Sequence, residues 1–492
     1  MGYLNQKELA IYKLQTILPL FLPWALSCII SNNPLCSYAI AWLGSFFIFL
    51  YSLRSPVAMF AADLPITMQV MRPMILIQLI FAGLMSVTSI FYFLDHLGFY
   101  FWSDIQSRGF KASEQTMHLA YCQRLYLFAH ASLILGMIIA AKPRNAPTFI
   151  WIQEIKDHLI TILLLTTSAV YCLSLFATLN QFSVLLAPVP MFLAGLMILI
   201  GLQQSRPKLT WTGFCFFCYT LYQAAYSGYK EALFVPLIVL AFIFYPYYRS
   251  IVIGLGLPIL LIVIYFLPIW TNTLRAETWQ GEIPIDKAAT YAYSQIIEDQ
   301  NQEVVKQNSW DFLTNRFSEI GMFSKYVAHV PKARPFYKTE ILQNALYALV
   351  PRALWPTKPN TEERSMERVY EADVLSTSSG ASAKTRTVVD GYLSAGIPGI
   401  LITMIFYGII CQLLCNMTEQ LFGGYEGGCI VVFNGMFQQL WRGNNFEFIL
   451  NNMVYGCILM LLVFNIMRYT GLLIPAPNPA NTLPPRVNHQ EC

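Results

Sequence analysis

The sequence predicts an all-α polytopic membrane protein with about 12 transmembrane helices and one large extracytoplasmic loop. Three observations lead there. The 492 residues are 56% hydrophobic, 15% aromatic and only 12% charged, with mean hydropathy +0.50. Soluble domains carry about 25% charged residues. Apolar stretches of bilayer-crossing length recur along the chain. Finally, half of the 58 charged residues (31 Lys+Arg and 27 Asp+Glu) fall in the single stretch 271–395.

A crossing helix needs about 20 mostly apolar residues, somewhat fewer inside a bundle. In chain order the candidates are roughly 14–32, 37–53, 74–95, 124–141, 159–178, 183–202, 209–227, 231–246, 251–270, 396–416, 427–441 and 448–467. The first follows Lys7 and Lys13, is longer than a signal-peptide core and lacks an A-x-A-like exit, so it reads as an uncleaved helix. Positive charge orients the set, because short cytoplasmic loops collect Lys and Arg. With the N-terminus in the cytoplasm, the inner segments hold twelve: Lys7, Lys13, Arg54, Arg72, Lys142, Arg144, Lys156, Arg206, Lys208, Arg249, Arg468 and Arg486. The short outer loops hold five, namely Arg108, Lys111, Arg124, Lys230 and Arg442. Both termini are therefore expected inside. The chain divides into nine spans over 1–270, an outer loop over 271–395, three spans over 396–470 and a Pro-rich disordered cytoplasmic tail over 471–492.

The outer stretch has 125 residues, with 14 Lys/Arg and 15 Asp/Glu, and is too long and too patterned to be a connector. Within 309–330, Phe312, Leu313, Phe317, Ile320, Phe323 and Val327 recur at helical spacing, with Ser309 as the expected cap. Ile341–Val350 reads as a short apolar helix along the bilayer surface. Residues 371–386, rich in Ser, Ala and Thr around Gly380, read as a mobile loop. Between these lies 351–359, Pro-Arg-Ala-Leu-Trp-Pro-Thr-Lys-Pro. Its three prolines stiffen the backbone and hold Arg352 and Lys358 around Trp355. A stiff cationic loop with a large ring suits a lipid-linked phosphate and a sugar.

The eleven cysteines lie almost all in or beside apolar segments and read as small buried hydrophobes. Cys215 and Cys218 form a C-x-x-C inside an aromatic span, which argues against redox or zinc chemistry. His130, inside a span, reads as a hydrogen-bonded core residue, and the acid pair Glu371 and Asp373 is too common a pattern to mark a cation site. The net charge of +4 is ordinary for the class. We expect no cofactor, no metal at the reacting centre and no nucleic-acid partner.

Over about 225–460 the chain resembles bacterial oligosaccharide repeat-unit polymerases, the Wzy-type O-antigen and exopolysaccharide polymerases. The resemblance rests on many spans, one large loop before the last three, and Pro351-Arg352-x-x-Trp355-Pro356-x-Lys358-Pro359 within it. It extends to Ser227-Gly228-Tyr229-Lys230 at a helix start, Arg316, Val388-Val389-Asp390-Gly391-Tyr392-Leu393 and Arg442-Gly443. Lys230 stands where relatives often carry Arg, and Asp390 where many carry Glu. Each keeps the charge but changes the reach, and Lys lacks the guanidinium fork.

The resemblance implies a GT-C-like architecture and a multi-pass protein of the bacterial inner membrane. It also implies a polyprenyl-pyrophosphate-linked glycan as substrate, with a flippase and a chain-length regulator as partners. The departing pyrophosphate needs positive charge, which guanidinium groups supply through charge-assisted, bidentate bonds. Arg352, Arg442, Arg316, Lys230 and Lys358, with Trp355 for the sugar, are the binding candidates. The acceptor hydroxyl needs a base within hydrogen-bond reach; Asp390 leads, followed by Glu319 and His329. A structural role competes for each: lipid anchoring for Arg352, Lys358 and Arg442, an i,i+3 pair of Arg316 with Glu319, a local pair of Lys230 with Glu231, and helix N-terminal compensation for Asp390.

Three other functions compete. A ligase would use the same donor and another acceptor. A transferase fed by polyprenyl monophosphate sugars usually carries an acid in its first outer loop, and Ser31–Cys36 has none. A flippase or transporter usually shows repeated halves and charged midplane breaks, whereas here the charge gathers in one loop.

Overall fold

Apolar runs become helices because a bilayer offers no partner to an unpaired backbone N–H or C=O. The computed structural model describes residues 6–55, 63–99, 114–142, 146–152, 155–176, 179–280, 283–297, 302–351, 354–377 and 383–477. Among them, eight helices are long and apolar enough to cross a membrane: Pro34–Arg54, Pro73–His96, Glu114–Ala140, Ile155–Ser174, Asn180–Gln203, Arg249–Thr278, Thr387–Leu421 and Phe446–Tyr469. The protein is all-α and rich in apolar, membrane-length helices.

The remaining four expected spans differ for local reasons. Pro19 and Pro23 split 14–32 into Gln6–Ile17, a tight turn Leu18–Phe21 and Leu22–Ile29. Pro207–Tyr226 is a full 20-residue helix, but its Tyr, Thr and Trp content makes it less apolar than the eight. Lys230–Phe244 has 15 residues with Pro236 inside. The 427–441 stretch becomes a wide-turn helix Tyr425–Phe433, a single turn Asn434–Met436 and the short helix Gln438–Arg442.

Helix Glu114–Ala140 is the axis of the bundle, apolar almost all round and buried over most of its length. Its principal partner is Thr387–Leu421. Their backbones come close because both contact faces carry glycine: a Cβ on Gly136 would lie 2.1 Å from the Ile405 carbonyl oxygen, and one on Gly408 2.2 Å from that of Leu133. Small residues at such crossings are how membrane helices gain van der Waals contact. Helix Arg249–Thr278 is the opposite case, with nearly all of its apolar surface facing outward.

The polar stretch is itself helical, with Ile285–Ile297, Gln302–Phe312, Ile320–His329, Glu340–Leu349 and Thr361–Glu371. The expected continuous helix over 309–330 is broken by the wide turn Leu313–Phe317 and by extended backbone at Ser318. Ser309 is not a cap; it sits inside Gln302–Phe312, and its hydroxyl donates to the Tyr265 carbonyl at 2.6 Å. The stretch is fastened to the bundle at several points. Trp310 Nε1 donates to Asp95 at 2.6 Å, Tyr455 to the Leu349 carbonyl at 2.7 Å, and Tyr337 N to the Leu393 carbonyl at 2.9 Å. The expected boundary at 395/396 is a kink inside one long helix, with Gly396 at φ +66°, a conformation that favours glycine.

The tail expected to be disordered from 471 begins instead with a strand. Leu473–Pro475 pairs antiparallel with Phe149–Trp151. Residues 478–492 lie outside the described residues.

Candidate functional site

Gly443, at φ +74°, turns the chain sharply after helix Gln438–Arg442 and points two carbonyls at the start of helix Thr387–Leu421. Arg386, the residue before that helix, donates through Nη1 to the carbonyls of Gly443 at 2.7 Å and Arg442 at 3.2 Å. Its Nε donates to both Glu319 carboxylate oxygens at 2.8 and 3.0 Å, and Nη2 also contacts Glu319. One guanidinium thus ties together the outer stretch, the 387–421 helix and the 438–443 turn. Burial would weaken its charge, but Glu319 outweighs that and holds Arg386 above the ordinary arginine value.

Arg442 faces the same place. Its Nε donates to Glu231 at 2.8 Å and its Nη1 to Gln438 at 3.0 Å. Arg386, Thr387, Arg442 and Gly443 form the polar part of a small cleft of about 40 Å³. The rest of its wall is apolar, with Ile77, Phe81, Leu84, Met404 and Tyr407 among the lining. Two guanidinium groups thus stand beside an apolar wall, where an anion would find charge-assisted donors.

Behind the cleft lies a second ion cluster. Arg368 forks onto Glu447, with Nη1–Oε1 at 2.8 Å and Nη2–Oε2 at 3.1 Å, and reaches Asp390 at 3.4 Å. Thr385 donates to Asp390 Oδ1 at 2.6 Å and Phe446 N to Oδ2 at 2.8 Å. Asn344 also donates to Glu447 at 2.8 Å. Asp390 is 1% exposed, so this carboxylate joins helices rather than facing solvent. It is not the lone acid that its sequence context suggests. Here too the carboxylates outweigh burial and keep the Arg368 guanidinium firmly charged.

The other expected residues scatter. Glu319 pairs with Arg386 rather than with Arg316, which is exposed and makes no ion pair among the described residues. Glu231 pairs with Arg442. His329 ends its helix near Glu371, whose carboxylate is bonded by Tyr337 at 2.6 Å and by Arg334. Burial pushes Glu371 up, yet Tyr337 and Arg334 hold it below the usual carboxylate range. Trp355 is half-buried, edge-on to Tyr347 with ring centroids 5.5 Å apart. Lys358 Nζ donates to the Val350 carbonyl at 2.6 Å and leans toward that of Tyr347 at 3.5 Å, where it ties off the end of helix Glu340–Leu349. Arg352 lies outside the described residues, as does the Lys230 side chain.

Sequence reasoning therefore reached Arg442, Glu319 and Asp390 but passed over Arg386, Arg368 and Glu447. Arg386 borders the Val388–Leu393 run and could have been suspected. Arg368 shares the apolar side of its helix with Met366 and Val369, an odd place for an unpaired cation. Glu447 has no such local signal.

No curated protein and no solved structure matches this chain. A family profile described as a domain of unknown function, DUF8712, matches residues 22–475, and since that span covers most of the sequence, the chain belongs to this family.

Proposed function

We propose that this protein joins polyprenyl-pyrophosphate-linked oligosaccharide repeat units at the outer face of a bacterial cytoplasmic membrane. The sugar carbon breaks its bond to the pyrophosphate oxygen and forms one to an acceptor hydroxyl, whose proton passes to a carboxylate. One observation carries the reading: apolar walls and two guanidinium groups, Arg386 and Arg442, share one cleft. The walls suit the prenyl chain and the guanidiniums the growing charge of pyrophosphate. Both cations are held by carboxylates, Glu319 and Glu231. An arriving pyrophosphate competes for the same N–H groups and thereby releases a carboxylate. We assign the base role to Glu319, because the arginine that holds both its oxygens, Arg386, lines the cleft and can be drawn off by an anion, whereas Asp390 is held by Thr385 and Phe446 N within the buried cluster. Asp390 is then a positioning residue.

The proposal includes twelve crossings, both termini in the cytoplasm and 271–395 outside. In a background without native cysteines, a cysteine at Ser376 is expected to be labelled from outside intact cells. Protection there, with labelling near Arg144, overturns the orientation.

The activity test uses purified protein and lipid-linked repeat units, without ATP or nucleotide sugar. Longer glycans and free polyprenyl pyrophosphate are expected. Unchanged glycan crossing a membrane identifies a flippase, and transfer only to an unrelated lipid acceptor identifies a ligase.

A further inference from the structure

At the C-terminal end of helix Thr387–Leu421, beginning about 12 Å along the helix beyond the cleft-lining Tyr407, a second chemical centre is buried. Cys415 and Glu419 stand one turn apart on one face of that helix. Cys429 comes from the wide-turn helix Tyr425–Phe433. Their donor atoms all lie within 4.8 Å of one another. Gly428 makes the approach possible, since a Cβ there would lie 2.4 Å from the Thr418 carbonyl oxygen. We propose that Cys415, Glu419 and Cys429 hold a thiophilic divalent cation of the zinc type.

Spacing supports this. Zinc bonds of about 2.0–2.3 Å in a tetrahedron put ligand atoms about 3.3–3.8 Å apart. Cys415 Sγ already lies 3.6 Å from Glu419 Oε1, and the Asn434 amide nitrogen 3.7 Å from Cys429 Sγ. Asn434 is 0% exposed and its Oδ1 has no partner among the described residues. Its Nδ2 donates to the Met71 and Cys429 carbonyls at 3.0 and 2.8 Å and so fixes the turn that carries Cys429, while the fourth zinc position falls to water, as in sites with three protein ligands.

The surroundings resemble the outer shell of a metal site, where hydrogen bonds fix the ligands. Arg72 holds Glu419 with Nε–Oε1 at 2.9 Å and Nη2–Oε2 at 3.0 Å. Arg72 in turn binds Asp63, whose side chain is 43% exposed, so the cluster lies one residue in from solvent. On binding, both thiols become thiolates and two protons leave to water; no oxidant is involved. The rival arrangement is metal-free, with the Cys415 thiol donating to Glu419 and the Cys429 thiol to the Met71 carbonyl.

The full chain, purified in detergent and stripped with a chelator, is titrated with Cd²⁺. A sulfur-to-cadmium ultraviolet band saturating at one ion per chain, and competed by Zn²⁺, is expected. Because two protons are released per ion, affinity falls about 100-fold for each pH unit of acidification. Cys429→Ser abolishes the band and Cys122→Ser, a buried cysteine elsewhere, keeps it. Should the serine variant not fold, the wild type still decides: Cd²⁺ slows alkylation of Cys415 and Cys429 but not of Cys411, read by mass spectrometry. No band in the wild type, a band surviving Cys415→Ser/Cys429→Ser, or equal protection of Cys411 overturns the site.

Discussion

Arg368 and Arg386 flank the same connection and both bind carboxylates, yet their surroundings give them different work. The Arg368 side chain is 3% exposed and bridges Glu447 and Asp390. That of Arg386 is 26% exposed, takes Glu319 and opens on the cleft. Removing one member of a sealed cluster leaves desolvated charge behind, which is far costlier than the cluster's own net contribution. The Arg386–Glu319 pair, 26% and 10% exposed, borders the cleft, so water can reach the carboxylate left behind more readily than in the sealed cluster. The contrast teaches that a conspicuous acid such as Asp390 can serve as a fastener, while the arginine available for chemistry is the one left partly open.

The largest effect expected from this contrast is on folding. Arg368→Ala strands Glu447 and Asp390 and is expected to cost about 3–5 kcal/mol, read as a collapsed melting transition in detergent. Arg386→Ala is expected to melt much closer to wild type. Equal melting of the two variants would dissolve the distinction.

Activity should split the other way. Arg386→Ala and Arg442→Ala are each expected to slow glycan extension by about 100- to 1,000-fold while membrane insertion persists. Lysine at either position restores only part, because it lacks the planar fork. Wild-type chain lengths in both alanine variants would remove these residues from the site.

A smaller effect sharpens the comparison in the outer stretch. Lys358→Met loses the tie to the Tyr347 and Val350 carbonyls and is expected to cost about 0.3–1 kcal/mol, with extension nearly unchanged. Abolished extension at an unchanged melting temperature would return Lys358 to the binding residues.

The smallest concerns pH. Glu371 is held below its unfolded value by Tyr337 and Arg334. Its contribution is therefore present above the unfolded carboxylate pKa and fades as pH falls through the lowered folded one. Since the side chain is 39% exposed, the effect is modest. Glu371→Gln should flatten the acid side of the melting-temperature profile. An unaltered profile would show that the pair contributes nothing.

Several elements were legible before any coordinates. The helix at 340–349 follows from Ile341–Val350. Span 14–32 is helical but interrupted, which a composition window does not show because it ignores where Pro19 and Pro23 break the hydrogen-bond ladder. The 149–151 strand escaped notice because its partner lies more than 300 residues away.

What the sequence determined by itself was the solvent. Its apolar content and recurring long runs require helices in a membrane, since no other open structure satisfies the backbone there. It also determined that charge gathers in 271–395. Which carboxylate each arginine pairs with was decided only by tertiary structure. Ion partners such as Arg442 with Glu231, or Arg368 with Glu447, are 211 and 79 positions apart. Local spacing carries no record of such pairs, because they form only when close helix crossings such as Gly136 against Ile405 bring distant segments together.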